Sequence, residues 1–307
     1  MKILITGSEG FIGKHLTEYL NSRGYSVIRV DKAQTAEIRI DLTEPEAVFN
    51  RLGEYSFDAV VHLAAIADIP ATLKDPYTCY RVNCFGTLNM LELAARKSVS
   101  RFIYLSSANY YGAPDKVPVS EEDPPNPRTP YDYSKVVGEK LVDSYHKHKG
   151  LPTAILRPWK TFGEYEQENK VVPRFIKACL MGEPIPLYNE GRDATDPYHV
   201  ENLCYAIELC LTKEAAIGKA YNVGTGNRIT IRELAETIKR LTNSTSTLQP
   251  LPPRTKEEEK PQVSIPSIQK ITKELNYQPK LTLEQGLNRV IQHIKTKTFK
   301  KNQNKQL

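Results

Sequence analysis

The sequence predicts an α/β fold, a doubly wound parallel sheet followed by a smaller C-terminal α/β lobe, and three observations carry that expectation. Short apolar runs alternate with helical periodicity through the first half of the chain, as expected for parallel strands joined by crossover helices. The first run, Lys2 to Thr6, opens directly into Gly7-Ser8-Glu9-Gly10-Phe11-Ile12-Gly13 and a helical segment through Arg23. Small or polar residues gather where successive strands end: these glycines, Asp31, Ala64-Ala65 and Ser107. Ligands of open parallel sheets lie at the carboxyl ends of the strands, so that gathering marks one site.

Taken in order, Lys2 to Thr6 suits a buried strand. The three glycines after it permit a tight turn, close backbone approach to a pyrophosphate, and close packing of helix on strand. The phosphates would sit at the helix N-terminus, where free N–H groups favour anions, with Phe11 and Ile12 in the same cradle. This is the Rossmann-type arrangement. Ser26 to Val30 is the second strand, and Asp31 closes it. A carboxylate there accepts the ribose hydroxyls of an adenosine and repels a 2′-phosphate, which favours NAD over NADP; adjacent Lys32 works against that preference. Ile38 to Leu42 reads as a third strand, with Asp41-Leu42 reaching the adenine edge. Phe57 to Leu63 is the fourth, and Leu63-Ala64-Ala65 lets the backbone lie against a cofactor. A helix from about Asp75 to Lys97 contains Asn83, Gly86 and Thr87. Such residues destabilise a helix interior, so a kink or a polar contact is expected there. Arg101 to Ser106 is the fifth strand, running into Ser107.

Pro130-Tyr131-Asp132-Tyr133-Ser134-Lys135 follows a Pro-rich loop and opens a helix through Lys149. Residues four apart share a helix face, so Tyr131 and Lys135 point the same way. A cation held beside a phenol favours phenolate and would make Tyr131 a general base near neutral pH. Spacing alone is weak evidence, because Tyr145 and Lys149 repeat it in the same helix and a solvated helix face is its ordinary meaning.

Thr153 to Leu156 is another strand, followed by Arg157-Pro158-Trp159-Lys160. Beyond it the elements shorten: helices over 172–181, 199–211, 231–241, 268–275 and 283–294, strands at 184–187 and 220–224, and a charged loop over 251–266. Residues 1–160 are read as the dinucleotide-binding domain. Residues 161–294 form mainly a substrate domain with some segments returning to the first core, and residues 295–307 a basic flexible tail. The net charge is +6 over 307 residues, and the last thirteen hold five lysines and no acid. The rest is near neutral, so nucleic-acid binding is not implied. No apolar run reaches the ~18 residues of a membrane span, and the N-terminus reads as a strand entering a loop rather than a signal peptide. Five cysteines, odd in number and without a Cys-x-x-Cys pair, predict a reducing, cytoplasmic setting and no metal.

Together these residues resemble the extended short-chain dehydrogenase/reductase family, within it the NAD-dependent epimerase/dehydratase group that acts on nucleotide sugars. The resemblance spans about residues 1 to 294. It rests on Thr6-Gly7-x-x-Gly10-x-x-Gly13, Asp31, Asp41-Leu42, Asp58 with His62-Leu63-Ala64-Ala65, and Asn83-x-x-Gly86-Thr87. Ser106-Ser107 through Tyr111-Gly112 and Tyr131-x-x-x-Lys135 complete it. It implies Tyr131 as base and acid, and Lys135 as the group that holds the nicotinamide ribose and lowers the Tyr131 pKa. It also implies Ser107 as hydrogen-bond donor to the reacting oxygen, Asn83 among the cofactor contacts, and NAD as cofactor. For the substrate, a nucleotide sugar, it implies Val172 and Phe175 around the base and Arg254 on the diphosphate, with Glu257 where an Asp is usual. It further implies a homodimer built from a helix pair of each subunit.

The sequence departs from the family pattern where an Asn is usual, at Lys160, which would meet a phosphate. The usual Arg-Asp pair is replaced by Thr195-Asp196, with Arg192 as the nearby charge, and Trp159 is either a core or a lid residue. Ala108-Asn109 stands where dehydratases carry an Asp-Glu pair, which argues against dehydration. The expected activity is C4 epimerisation of a UDP-hexose or UDP-hexuronate. The alternatives are a reductase of nucleotide-4-keto sugars and a dinucleotide-sensing protein without turnover.

Overall fold

The structure, a computed structural model, describes residues 1–253 and 259–303. Its centre is a seven-stranded sheet. Six strands come from the first half: β1 (Lys2–Thr6), β2 (Ser26–Asp31), β3 (Ile38–Arg39), β4 (Ala59–His62), β5 (Arg101–Leu105) and β6 (Thr153–Pro158). The seventh, Lys219–Val223, comes from the second half and lies beside β6. The order is Lys219–Val223, β6, β5, β4, β1, β2, β3, and every pairing is parallel. The chain runs outward from β1 through β2 and β3, then crosses back to β4. The crevice between the β1 and β4 ends is thus the topological switch point where such sheets bind ligands.

Alternation along β1 sends Ile3 and Ile5 into one apolar layer and Leu4 into the other. The helix Phe11–Ser22 and the helix Val200–Thr212 supply Leu16, Leu20, Leu203 and Ile207 to the first layer. Met90 and Leu91 of the helix Gly86–Arg96 and Val142 of the helix Pro130–Lys149 fill the second. A third core forms the smaller lobe. There the helices Val171–Met181, Ile231–Thr242 and Leu283–Gln303 enclose Phe175, Ile176, Leu234, Ile238, Leu287 and Val290.

Three local differences from the sequence expectation have physical causes. The expected helix over 75–97 is broken into Pro76–Tyr80, a π-helical turn Arg81–Phe85 and Gly86–Arg96, which is the kink that Asn83 and Gly86 signalled. A short helix, Ile69–Lys74, begins where Asp68 accepts from the Ala71 N–H, a side-chain cap. A strand, Leu248–Leu251, lies in the segment before the charged loop and pairs with Ile185–Tyr188. Its Gln249 and Pro250 hide it from periodicity. The last helix continues past Ile294 to Gln303. Among the described residues no helix is long and apolar enough to cross a membrane.

Candidate active site

At the end of β1 the chain turns through Gly7 at φ +71°, and a Cβ there would lie 2.8 Å from the Ala64 nitrogen. A Cβ on Gly13 would fall 2.1 Å from the Gly7 carbonyl oxygen. Neither position admits a side chain, so β1, its helix and the β4 loop close on one another. Gly10 caps the helix without a side chain, and no acid occupies the first turn. The Ser8 hydroxyl is buried and unpartnered. These free donors suit a pyrophosphate. Asp31 stands beside them at the end of β2, accepting from the Glu9 N–H (3.0 Å) and the Ala33 N–H (3.1 Å). A carboxylate offers about four acceptor sites, which leaves room for two ribose hydroxyls. Lys32 is exposed, and its charge acts on Asp41. Asp41 is exposed and accepts from the Thr43 N–H at 2.9 Å, while the Leu42 carbonyl receives Asn89 Nδ2 at 2.8 Å. Phe11, Ile12, Leu63, Ala64 and Ala65 are half-buried around the same crevice.

Asn83 sits one layer deeper. Its Oδ1 accepts from the Ile66 N–H (2.7 Å), and its Nδ2 donates to the Ile66 carbonyl (3.1 Å) and to Ser134 Oγ (2.8 Å). The side chain is 1% exposed. It therefore clamps the loop after Ala64-Ala65 onto the Tyr131 helix. Below it, Thr87 Oγ1 donates to the Asn83 carbonyl (2.5 Å) and lies 3.0 Å from His62 Nε2. That Thr proton is spent, so Nε2 carries the imidazole proton and Nδ1 accepts from Thr6 Oγ1 at 2.7 Å. Burial, helped by the charge of Lys135, pushes His62 down to about 3, and the ring is neutral.

The helix Pro130–Lys149 is started by a capping box in which Thr129 and Asp132 bond each other's backbone. This holds Tyr131 in the first turn, against Ser107 at the end of β5. The Tyr131 phenol is buried, and the Ser107 side chain acts on it in the direction that lowers its pKa. Lys135, 4% exposed, donates from Nζ to the Leu105 carbonyl at 2.8 Å and lies 5.8 Å from the Tyr131 ring centroid. Ser107, Tyr131 and Lys135 are thus together, as the sequence predicts. The expected lowering of the phenol is corrected: burial pushes Tyr131 up to about 12, and the neighbouring Ser107 side chain only partly opposes it. Lys135 itself is lowered to about 8 by burial, with Glu139 acting upward. The repeat pair is structural, since Tyr145 donates to Glu92 at 2.9 Å.

Sequence reasoning missed the network beneath this triad. Glu139, one helical turn beyond Lys135, accepts from Ser106 Oγ at 2.5 Å and from Arg157 Nε at 2.9 Å through Oε1. Its Oε2 receives Arg157 Nη2 at 2.6 Å. Arg157 Nη1 in turn donates to the Tyr111 hydroxyl (2.6 Å) and the Glu121 carbonyl (3.2 Å). Both charged side chains are 6% exposed. An acid i+4 from Lys135 and an arginine within an apolar strand were the available signals.

The expected substrate residues part company. Val172 and Phe175 are buried in the core of the smaller lobe, 5% and 3% exposed, and serve packing there. Arg192 is exposed and folds back on Asn189. Asp196 is buried and accepts from the N–H groups of Thr225 and Gly226. Trp159 is a core residue, 5% exposed, with its indole N–H on the Ser264 carbonyl (3.0 Å) and hydroxyl (3.1 Å). Lys160 is exposed beyond the end of β6. Arg254 and Glu257 lie outside the described residues.

A doubly wound sheet with a glycine cradle, a carboxylate at the end of its second strand and a Ser-Tyr-Lys cluster at its carboxyl edge defines a dinucleotide-dependent enzyme of the short-chain dehydrogenase/reductase type. The sequence model of the NAD dependent epimerase/dehydratase family matches residues 3–224; the chain belongs to that family, and its cofactor is NAD. A dTDP-glucose 4,6-dehydratase of Haemophilus influenzae is 30% identical, over 95% of this chain and 97% of the relative. UDP-glucuronic acid decarboxylase 1 of Danio rerio is 32% identical, over 95% of this chain and 72% of the relative. Among solved structures, the UDP-glucose 4-epimerase of Thermotoga maritima with UDP-glucose superposes with a TM-score of 0.90 at 27% identity, over 97% of this chain and 100% of that one. Three activities occur among these relatives, so the reaction must be argued from the site.

Proposed function

We propose that the protein is a nucleotide-sugar C4 epimerase acting on a UDP-hexose or UDP-hexuronate. The observation that carries this reading is that no acid follows Ser107 and that the acid beside Tyr131 is already engaged. Ala108 and Asn109 follow Ser107. The nearby acid, Asp132, is occupied by Asn109 Nδ2 (3.1 Å) and by the N–H groups of Arg128 (3.0 Å) and Thr129 (2.9 Å). Elimination of water needs a further acid and base on the sugar; these residues offer none, whereas epimerisation needs only one proton site.

Gly7, Gly10 and Gly13 would hold the pyrophosphate of NAD, Asp31 its adenosine ribose, and Lys135 its nicotinamide ribose. When bound, NAD supplies a cationic ring that takes a hydride and returns it, and its charge favours the phenolate. Ser107 Oγ orients the C4 hydroxyl. Tyr131 Oη takes that hydroxyl's proton, and after the 4-keto sugar has turned over in the cleft it gives the proton back. Lys135, charged below about pH 8, steadies the phenolate. Asn83 and the Glu139–Arg157 pair keep the cofactor wall and the Ser107 strand end in place.

Tyr131→Phe removes the proton site and leaves the cradle untouched. Turnover should fall by at least about 10³-fold, in line with losses on removing an acid–base group, with copurifying NAD unchanged. Retained turnover would rule out Tyr131 as the base. A homodimer and a cytoplasmic location go with this reading. The helical segments over 76–96 pack on the helix Pro130–Lys149, and together they expose Tyr77, Phe85, Tyr133 and Val137 at 76, 60, 50 and 41%, apolar surface suited to a second copy. Phe85→Asp should yield a monomer by light scattering; an unchanged dimer would place the interface elsewhere.

A further inference from the structure

We propose that Glu9 sets the choice of dinucleotide: it holds Arg29 and Thr35 away from the adenosine ribose, so that the site takes NAD and refuses a 2′-phosphate. The proposal rests on the placement of that ribose at Asp31, and not on which sugar reaction the enzyme runs.

The contacts are direct. The glycine turn is tied to the end of β2, where the Ser8 N–H donates to the Val30 carbonyl at 3.3 Å and the Glu9 N–H to Asp31 Oδ2 at 3.0 Å. Asp31 Oδ1 accepts from the Ala33 N–H at 3.1 Å. Alternation along β2 puts Val27, Arg29 and Asp31 on one face, and Val27 packs on the apolar layer that holds Leu16 and Leu20 of the glycine-cradle helix. Arg29 therefore rises on the side of the strand that carries Asp31, two residues earlier. Glu9 meets it there. Its Oε1 accepts from Arg29 Nη1 at 3.0 Å, and its Oε2 accepts from Thr35 Oγ1 at 2.7 Å, in the turn that follows Asp31. One carboxylate thus joins the residues that flank Asp31 in the chain, while the backbone of the same residue is bonded to Asp31 itself.

Arg29 is the group that a 2′-phosphate needs. An arginine near this strand end accommodates that phosphate where NADP is bound, and its planar fork of N–H donors fits a phosphate at two points. Here the guanidinium is taken. Among the described residues Glu9 is its only ion-pair partner, with the Glu9 side chain 11% exposed and that of Arg29 38%. A pair so open on one side adds little to folding; its consequence is local. A 2′-phosphate entering beside Asp31 would face that carboxylate and an arginine already engaged. Two ribose hydroxyls bring no charge and need only the acceptor sites that Asp31 has left. Lys32, which works against the NAD preference in the sequence, offers an exposed point charge, whereas the forked donor set that grips a phosphate is the one Glu9 occupies.

The test is displacement of the carried NAD from the purified protein by NADH and by NADPH, followed by the fluorescence of the bound reduced nicotinamide. The readout is the ratio of NADPH to NADH needed for half displacement. In Glu9→Gln, which keeps the backbone contact to Asp31, that ratio should fall at least about tenfold, or 1.4 kcal/mol, through tighter NADPH. Adding Arg29→Gln to this variant should return the ratio toward the native value. An unmoved ratio in Glu9→Gln, a loss shared equally by both cofactors, or a gain that survives removal of Arg29 overturns the proposal. If Glu9→Gln does not fold, Arg29→Gln alone decides: it leaves the Glu9 charge unanswered, so NADPH should weaken further against NADH, and an unmoved ratio overturns the proposal. Asp31→Asn checks the ribose placement separately. It should weaken NADH at least about tenfold; undiminished NADH would move the ribose away from Asp31 and take the proposal with it.

Discussion

Replacing Glu139 with Gln tests how the triad is held. The carboxylate accepts from Ser106 at 2.5 Å and takes two hydrogen bonds from Arg157, at 2.9 and 2.6 Å. An amide keeps one acceptor but turns N–H groups toward Nη2, leaving the guanidinium buried and only partly served by Tyr111 and the Glu121 carbonyl. Breaking one side of a buried ion pair costs about 3–5 kcal/mol, and the surviving contacts put this substitution near about 3. Domains of ordinary stability, about 5–15 kcal/mol, remain folded after such a loss. Glu139 is also the foremost group raising the Lys135 pKa against burial. Lys135 carries its charge below about 8 and loses it above, so kcat should fall as pH rises through that value. Without the Glu139 charge, that alkaline limb should move to lower pH. Urea unfolding and the pH profile of kcat give the two readouts. Unfolding free energy within about 1 kcal/mol of native, well short of the ion-pair figure, with an unmoved limb would refute the reasoning.

Gly13→Ala places a Cβ 2.1 Å from the Gly7 carbonyl oxygen. Overpacking of this kind costs roughly 1–3 kcal/mol, and the variant should purify without NAD; normal NAD content would mean that the cradle is looser than described. His62 is held neutral, its pKa lowered from 6.5 to about 3 by burial. The unfolded chain then binds a proton that the folded chain refuses, so stability rises with pH across that window. This group alone should contribute a slope of up to about 1.4 kcal/mol per pH unit. His62→Gln should flatten the slope by that amount, and equal slopes in the two proteins would contradict the neutral imidazole.

The fold was readable because four of the six first-half strands run into the residues the sequence marked for the site: Gly7, Asp31, Ala64 and Ser107. Helical spacing put Tyr131 and Lys135 on one face but did the same for Tyr145 and Lys149, so the surrounding motifs had to single out the first pair. The lateral contacts were not readable. Nothing in the spacing says that Asn83 grips Ile66 and Ser134, or that Glu139 binds Arg157 eighteen residues away. The Tyr131 pKa was misread for a related reason. Spacing placed the lysine on the right face, but burial and the Leu105 carbonyl, which receives its ammonium, are tertiary facts. In the smaller lobe, Val172 and Phe175 look alike as base contacts or as core, and only packing separates the two.

The central claim is that the enzyme interconverts C4 epimers with the NAD it carries. The most direct measurement is proton NMR of the purified protein with UDP-glucuronate, and in parallel UDP-glucose, without added cofactor. The account predicts that the C4-epimeric nucleotide sugar appears and reaches equilibrium while bound NAD is unchanged. Turnover that requires added reduced nicotinamide, or a product that has lost water or carbon dioxide, would contradict it.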